Sequence, residues 1–159
     1  MADRFTRAQR SAVMARIRGR DTGPEKLIRR LLRSLGYRFG LHARRLPGRP
    51  DVVLSKQRKA VFVHGCFWHG HAGCVRASRP ATNVGFWTRK ITGNMARDVR
   101  VTRELKKLGW KSLVVWQCQT KHREVLERRL KRFLNDDTNA TKRTRQPIRH
   151  AVSTRARQS

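Results

Sequence analysis

Acidic residues are scarce in this 159-residue chain, which has 10 Asp and Glu against 39 Lys and Arg and a formal net charge of +29. Such an excess of one sign repels itself unless a polyanion is bound, so nucleic acid is the expected partner. A ribosome-like structural role and adventitious binding to membrane surfaces are the alternatives. Long hydrophobic runs are also missing, and none approaches the roughly 20 residues that span a bilayer. We therefore expect no membrane partner.

Cysteines are few as well, and two of the three lie with three of the six histidines in residues 64–74. The start of the chain has no hydrophobic leader, so we expect a reducing cytoplasm and metal ligation rather than disulfides. Zn²⁺ prefers four thiolate or imidazole ligands in a tetrahedron. The set predicted for a structural zinc site is Cys66, His71, Cys74 and Cys118. It uses every cysteine and leaves His64 and His69 beside the metal.

The hydrophobic pattern predicts one α/β domain over residues 21–134, a mixed β-sheet flanked by helices. Thr22 and Glu25 have capping-box spacing at the start of the first helix, and Gly36 is a good stop for it. The predicted elements are a helix at 22–35, strands at 37–41, 51–54 and 60–63, a helix at 84–108, a strand at 112–117 and a helix at 122–134. Residues 1–20 are predicted to be a basic arm that contacts DNA, and 135–159 a basic, disordered tail.

Asp51 is the acidic residue with the most distinctive context, because it follows Pro50 and enters an apolar strand. A carboxylate at the mouth of a strand can hold Mg²⁺, which takes oxygen ligands and bridges to phosphate oxygens. The alternative is a simple ion pair with Arg44 or Arg49.

Pro50 and Asp51, followed by a hairpin into a second strand, resemble the PD-(D/E)xK restriction-endonuclease core. The second strand departs from that core, since Val63-His64 stands where an acidic residue and a Lys are usual. That departure resembles the very short patch repair (Vsr) endonucleases. The matching segments are Met14, 20–22, 25–26, 46–51, 64–69, 86–87, 90–91, Asn94, 97–98, 108–110 and 115–118.

The resemblance implies a Mg²⁺-dependent endonuclease with a restriction-endonuclease-like fold. Such an enzyme nicks one strand of duplex DNA at thymine–guanine mismatches left by deamination of 5-methylcytosine, and so initiates very short patch repair. It also implies a monomeric, nucleoid-associated protein of the bacterial cytoplasm, with other mismatch-repair proteins as further partners.

The resemblance carries specific roles onto residues of this chain. It implies that Asp51 and the main-chain carbonyl of Val63 bind Mg²⁺, that His69 is the general acid or base, and that His64 is its catalytic or phosphate-contacting partner. Imidazole, with a pKa of about 6.5, can exchange protons near neutrality. Extra zinc ligation is the alternative for both histidines. Glu25 matches an acidic position near the metal, while the capping box explains it equally well.

Recognition of the mismatch is implied for a second group of residues. Phe67, Trp68 and Trp87 resemble an aromatic wedge that inserts beside the mismatch, whereas Trp110 and Trp116 look like core residues. The remaining DNA contacts implied by the resemblance are Met14, Lys90 and Asn94. Asp98 falls on the apolar face of its helix, where it needs a partner, and the candidates are an Arg or His69.

Two other functions fit the same residues. The first is a zinc-based nuclease in which His64 or His69 ligates the catalytic ion. The second is a non-catalytic DNA-binding module stabilised by zinc. Activity with zinc alone would indicate the first, and a harmless Asp51→Ala substitution would indicate the second.

Overall fold

The computed structural model describes residues 19–136, and its elements follow the predicted order. The basic arm with Met14 and the tail beyond residue 136 lie outside the described residues, so both stay predictions. The elements are α1 Gly23–Ser34, β1 Gly40–Leu41, β2 Val52–Leu54, β3 Lys59–His64, α2 Val84–Lys107, β4 Lys111–Trp116 and α3 Arg123–Asn135. Within residues 19–136, no helix has the length and apolar character that crossing a membrane requires.

The four strands form one mixed sheet in the order β1-β2-β3-β4. The first two pairings are antiparallel, and β3 pairs with β4 in parallel. A parallel pair needs a long crossover, which α2 supplies. In this register His64 lies opposite Trp116, so the loop after β3 and the turn after β4 leave the sheet side by side. The sheet thus brings Cys66 and Cys118 to the same edge.

Each face of the sheet is covered by its own hydrophobic cluster, as the alternation of side chains along a strand requires. α1 and α3 cover one face, and α2 covers the other. The first cluster contains Ile28, Leu31, Leu32, Val52, Leu54, Val61, Val115, Leu126, Leu130 and Leu134. The second contains Leu46, Val53, Ala60, Phe62, Val101 and Leu105. Burial on both faces explains why β2 is apolar throughout.

Two predicted details are wrong. The strand predicted at 37–41 pairs only at Gly40–Leu41, because Tyr37 and Phe39 pack against the first cluster instead of extending the sheet edge. On α2, the helical spacing of Ile91, Met95, Thr102 and Leu105 predicts one apolar face, but Met95 and Thr102 are exposed. The buried stripe of the helix is interrupted around Asp98, where α2 lines a cavity instead of packing on the sheet.

Candidate active site and metal centre

The loop after β3 and the turn after β4 assemble the predicted metal ligands. The sulfur and imidazole atoms of Cys66, His71, Cys74 and Cys118 all lie within 4.8 Å of one another. All three cysteines are free thiols, and Cys118 Sγ is 3.4 Å from His71 Nδ1. Burial raises the pKa of the Cys66 thiol to about 11, so its thiolate needs a nearby cation. This donor set fits tetrahedral zinc.

The ring of Trp116 fixes the orientation of His71, since the two rings stack at 4.2 Å with 6° between their planes. Trp116 was expected in the core but is half-buried, because its position at the end of β4 places it beside this cluster. Gly70 seats the loop against α2 with a φ of +60°. That φ favours glycine, and a Cβ there would also lie 2.8 Å from Sδ of Met95, whose flexible side chain would have to move.

Asp51 lies at the start of β2, where its Oδ2 accepts the Val63 N–H at 2.7 Å. Among residues 19–136, the basic side chain within ion-pair distance of Asp51 is His42 rather than Arg44 or Arg49. His42 Nδ1 is 3.9 Å from Asp51 Oδ1. Burial raises the pKa of Asp51, and the neighbouring Glu25 carboxylate adds to the effect. A bound cation would therefore stabilise the ionised form of Asp51.

His64 and His69 form a stacked pair that faces Asp98. Their ring centroids are 3.8 Å apart with 12° between the planes. Asp98 Oδ2 is 2.5 Å from His69 Nδ1 and 3.8 Å from His64 Nδ1. Both kinds of partner considered for Asp98 are present: the short contact is to His69, and Arg97 Nη2 also lies 3.9 Å from Asp98 Oδ1. A carboxylate that holds the proton on Nδ1 leaves Nε2 of His69 as a proton acceptor.

The surroundings of His64 determine its charge. Burial lowers the pKa of His64 to about 4, and the neighbouring His69 acts in the same direction. His64 is therefore a neutral ring at physiological pH, and His69 is the member of the pair that is held by a carboxylate.

One cavity of about 870 Å³ brings these groups together. Its lining residues come from two parts of the chain, 19–69 and 97–117, so segments that are far apart in sequence meet there. The predicted site residues on its wall are Glu25, Asp51, Val63, His64, Trp68 and His69, with Asp98 beside them.

Glu25 has its capping role and also lines this cavity. Its N–H is 3.4 Å from Thr22 Oγ1, and its Oε1 accepts the Thr22 hydroxyl at 2.9 Å. Its Oε2 accepts the Asp21 N–H at 3.0 Å and Arg29 Nη2 at 2.9 Å. These contacts explain why Glu25 tolerates burial, and they leave its part in catalysis a prediction.

The aromatic residues are packed differently from the sequence prediction. Trp87, expected outside the core, is only 6% exposed, because its ring packs against Phe67 at 5.2 Å and Trp68 at 6.0 Å. Neighbouring side chains of a loop seldom point the same way, which predicts that at least one of Phe67 and Trp68 is exposed, yet both are half-buried in the same group. The exposed ring is Phe86, at 54%. Insertion of these rings into DNA stays a prediction.

Asn94 supports this aromatic group by donating its side-chain amide to the Trp68 carbonyl at 2.8 Å. Lys90 is exposed one turn earlier on α2. Sequence analysis missed Arg29 and His42, which lie next to Asp51. The i,i+4 spacing from Glu25 could have indicated Arg29. Nothing in the basic segment around His42 distinguishes it.

Comparison with known proteins places the chain in a family. Residues 2–76 match the family model described as "DNA mismatch endonuclease Vsr". "Type II nicking enzyme V.NmeAIP" of Neisseria meningitidis is 42% identical over 140 residues, which are 88% of this chain and 99% of the relative. "Type II nicking enzyme V.XorIIP" of Xanthomonas oryzae is 45% identical over 135 residues, 85% and 98% of the two chains.

A third relative carries the name of the family itself. "DNA mismatch endonuclease Vsr" of Escherichia coli is 44% identical over 126 residues, which are 79% of this chain and 80% of the relative. These alignments extend well beyond the 64–74 loop and agree with the resemblance found from the motifs. The chain belongs to the Vsr family of DNA mismatch endonucleases.

Proposed function

We propose that this endonuclease nicks one strand of duplex DNA at thymine–guanine mismatches produced by deamination of 5-methylcytosine, and thereby initiates very short patch repair. The observation that carries the proposal is the single cavity in which Asp51 and the Asp98-held His69 meet. The names of the relatives, a mismatch endonuclease and nicking enzymes, support it.

Hydrolysis of a phosphodiester needs an activated water, stabilisation of charge on the phosphoryl oxygens and protonation of the leaving group. Asp51 and the main-chain carbonyl of Val63 would hold Mg²⁺. When bound, Mg²⁺ supplies charge stabilisation and makes water more acidic. The raised pKa of Asp51 supports this assignment, since a half-buried carboxylate that has no bidentate cationic partner among residues 19–136 favours a bound cation.

His69 is proposed to move the proton. Asp98 holds its Nδ1–H and stabilises the imidazolium that forms when Nε2 accepts a proton. His64 stacks on this ring but stays neutral, so it contributes a hydrogen bond to the phosphate and no second positive charge.

Zinc is proposed to be structural. Two of its ligands, Cys66 and His71, bracket Phe67, Trp68 and His69 along the chain. Metal ligation there fixes both ends of the segment that carries the proton-transfer group and two of the aromatic rings. The chemistry and the recognition of the mismatch then depend on one short, pinned loop.

Recognition is proposed to combine charge and stacking. The net charge of +29 favours the phosphate backbone without sequence preference. The aromatic group around Trp68 supplies the wedge, with Lys90 reaching the mismatched pair. Inserting apolar rings costs a few kcal/mol of unstacking, and the cost is smallest at a mismatch.

The test is nicking of a methylated-site duplex with one thymine–guanine mismatch, with and without Mg²⁺. Wild type is expected to nick only with Mg²⁺. Asp51→Ala is expected to lose nicking but keep mismatch binding, and Glu104→Ala, an exposed carboxylate on α2, serves as the matched control. Nicking with zinc alone would favour the histidine–metal nuclease. Full binding without any nicking by wild type would favour the non-catalytic module.

A further inference from the structure

We propose that Arg29 and His42 form a positioning pair that orients the carboxylate of Asp51 for its metal ion. The inference rests on the proposed function, because it assigns Asp51 the role of metal ligand. It adds two residues to the site, neither of which belongs to the motifs of the family resemblance.

Arg29 is the fixed end of the pair. It lies on α1 and is only 7% exposed. Its Nη1 donates to Asp21 Oδ1 at 2.5 Å, and its Nη2 donates to Glu25 Oε2 at 2.9 Å. Two carboxylates therefore hold the guanidinium in one orientation, and the fork geometry makes that orientation specific.

The contact between Arg29 and His42 determines which ring nitrogen of the histidine carries the proton. Arg29 Nη2 is 3.2 Å from His42 Nε2. A guanidinium nitrogen can only donate, so Nε2 accepts and the imidazole proton is on Nδ1. His42 Nδ1 is 3.9 Å from Asp51 Oδ1. The proton is therefore on the ring nitrogen that lies 3.9 Å from the Asp51 carboxylate.

Asp51 is bracketed by two N–H groups, one at each oxygen. Oδ2 accepts the Val63 N–H at 2.7 Å, which fixes that oxygen on β3. Oδ1 faces the His42 ring at a distance too long for a hydrogen bond. The lone pairs of Oδ1 therefore remain available to a cation. The His42 ring limits rotation of the carboxylate through its bulk and its dipole.

The backbone at His42 is compatible with this role. Its φ is +47°, in the left-handed region that non-glycine residues adopt at a cost of roughly 1 kcal/mol. Outliers of this kind persist where the surroundings over-determine them, and they cluster at functional sites. The contacts to Arg29 and Asp51 explain why the ring is held there.

A metal ion in place of the guanidinium is the competing explanation. Asp21, Glu25 and His42 offer ligand atoms within 4.8 Å of one another. However, Arg29 already donates to both carboxylates and contacts the histidine nitrogen. The positive charge that these three side chains surround is therefore the Arg29 guanidinium rather than a metal ion.

Three substitutions test the pair in the zinc-loaded full chain. His42→Gly removes the ring and suits the left-handed backbone. His42→Asn also tolerates that backbone and keeps an amide N–H near the position of Nδ1. Asn83→Gly is the matched control, because Asn83 has a φ of +52° and makes no side-chain capping bond. If His42→Gly fails to fold, His42→Ala takes its place.

Mn²⁺ binding followed by electron paramagnetic resonance is the first measurement, with Asp51→Asn as the reference for a lost site. His42→Gly is expected to weaken Mn²⁺ binding about 10-fold, as loss of a partner that orients a metal ligand typically does. His42→Asn should bind near the wild-type level, and Asn83→Gly should match wild type. The Mg²⁺ concentration needed for half-maximal nicking should rise in the same order.

The outcomes separate this inference from the proposed function. If Asp51→Asn binds Mn²⁺ as wild type does, the proposed metal site is wrong, and the positioning role is refuted with it. If Asp51→Asn loses Mn²⁺ while folded His42→Gly binds normally, only the positioning pair is refuted. Equal losses in His42→Gly and His42→Asn would also overturn it, because the N–H would then have no effect.

Discussion

At the scale of single residues, the candidate site depends on two carboxylates, each of which makes one short contact. Asp98 contacts His69 at Nδ1, and Asp51 receives the Val63 N–H. In a chain with only 10 acidic residues, these two contacts place scarce negative charge where the proposed proton transfer and cation binding need it. Replacing either carboxylate by an amide therefore tests one function at a time.

Asp98→Asn is expected to slow nicking by roughly 10²–10⁴, the usual contribution of one general acid–base. The amide keeps the shape of the side chain but stabilises an imidazolium poorly and can hold the wrong tautomer. Single-turnover nicking at saturating protein measures the effect, with Glu104→Gln on the same helix as the control. A wild-type rate in the folded variant would show that Asp98 does not act through His69.

The lowered pKa of His64 predicts loss of stability in acid. Its folded-state pKa of about 4 lies below the ordinary 6.5, so between these values the unfolded chain binds the proton first. The free energy of unfolding should therefore fall as the pH drops through this window, by up to about 1.4 kcal/mol per pH unit.

Urea unfolding of wild type and His64→Asn at pH 7, 6 and 5 measures this effect. Acid also protonates the zinc ligands, but that contribution is common to both proteins. The free energy of unfolding should fall more steeply with decreasing pH for wild type than for His64→Asn. Parallel slopes would mean that His64 has no lowered pKa in the folded state.

At the scale of elements, the first turn of α2 joins a core residue to an exposed one. Trp87 packs against Phe67 and Trp68 of the loop after β3, while the adjacent Phe86 is 54% exposed. Neighbouring positions of a helix face different directions, so the two rings serve different purposes. Substituting them separately distinguishes packing from recognition.

Trp87→Ala is expected to cost about 3–5 kcal/mol of stability, as truncation of a buried large aromatic does. Phe86→Ala should change stability by less than about 0.5 kcal/mol, since an exposed ring has little packing to lose. If Phe86 stacks on the bases, the same variant weakens mismatch binding by about 1–3 kcal/mol. Thermal unfolding and binding to matched and mismatched duplexes measure both. Unchanged binding by Phe86→Ala would exclude that ring from the wedge.

At the scale of the whole molecule, the parallel pairing of β3 and β4 closes the metal centre and the active site together. The loop after β3 contains three of the four sulfur and imidazole ligands, and the turn after β4 contains the fourth. The ion would thus tie the end of one strand to the end of its neighbour. Metal binding and folding should be coupled for that reason.

Cys118→Ser is expected to lose zinc and to lower the free energy of unfolding and the nicking rate together. The unpinned loop would no longer place His69 against Asp98. Metal analysis, chemical unfolding and nicking measure the three effects, and Ser78→Ala, at the exposed end of the same loop region, is the control. Folded, active wild type without zinc would contradict the structural role.

The local features of the fold could be predicted from the sequence. Helix and strand positions depend on the spacing of apolar residues and on caps such as Thr22 and Glu25, all of which act over a few residues. The grouping of the four cysteine and histidine side chains could also be predicted from the sequence, because the chain has only three cysteines and few ways to combine them.

Contacts between distant segments were decided by the tertiary structure. Asp98 and His69 are 29 positions apart in the chain and meet because α2 lies beside the loop after β3. No local pattern distinguishes His69 from an Arg as the partner of Asp98. Trp87 is buried by that same loop. His42 reaches Arg29 and Asp51 only when α1 and β2 pack side by side. Composition and periodicity determined the elements and the grouping of the four cysteine and histidine side chains, whereas side-chain partners depended on packing across the sheet, which periodicity does not encode.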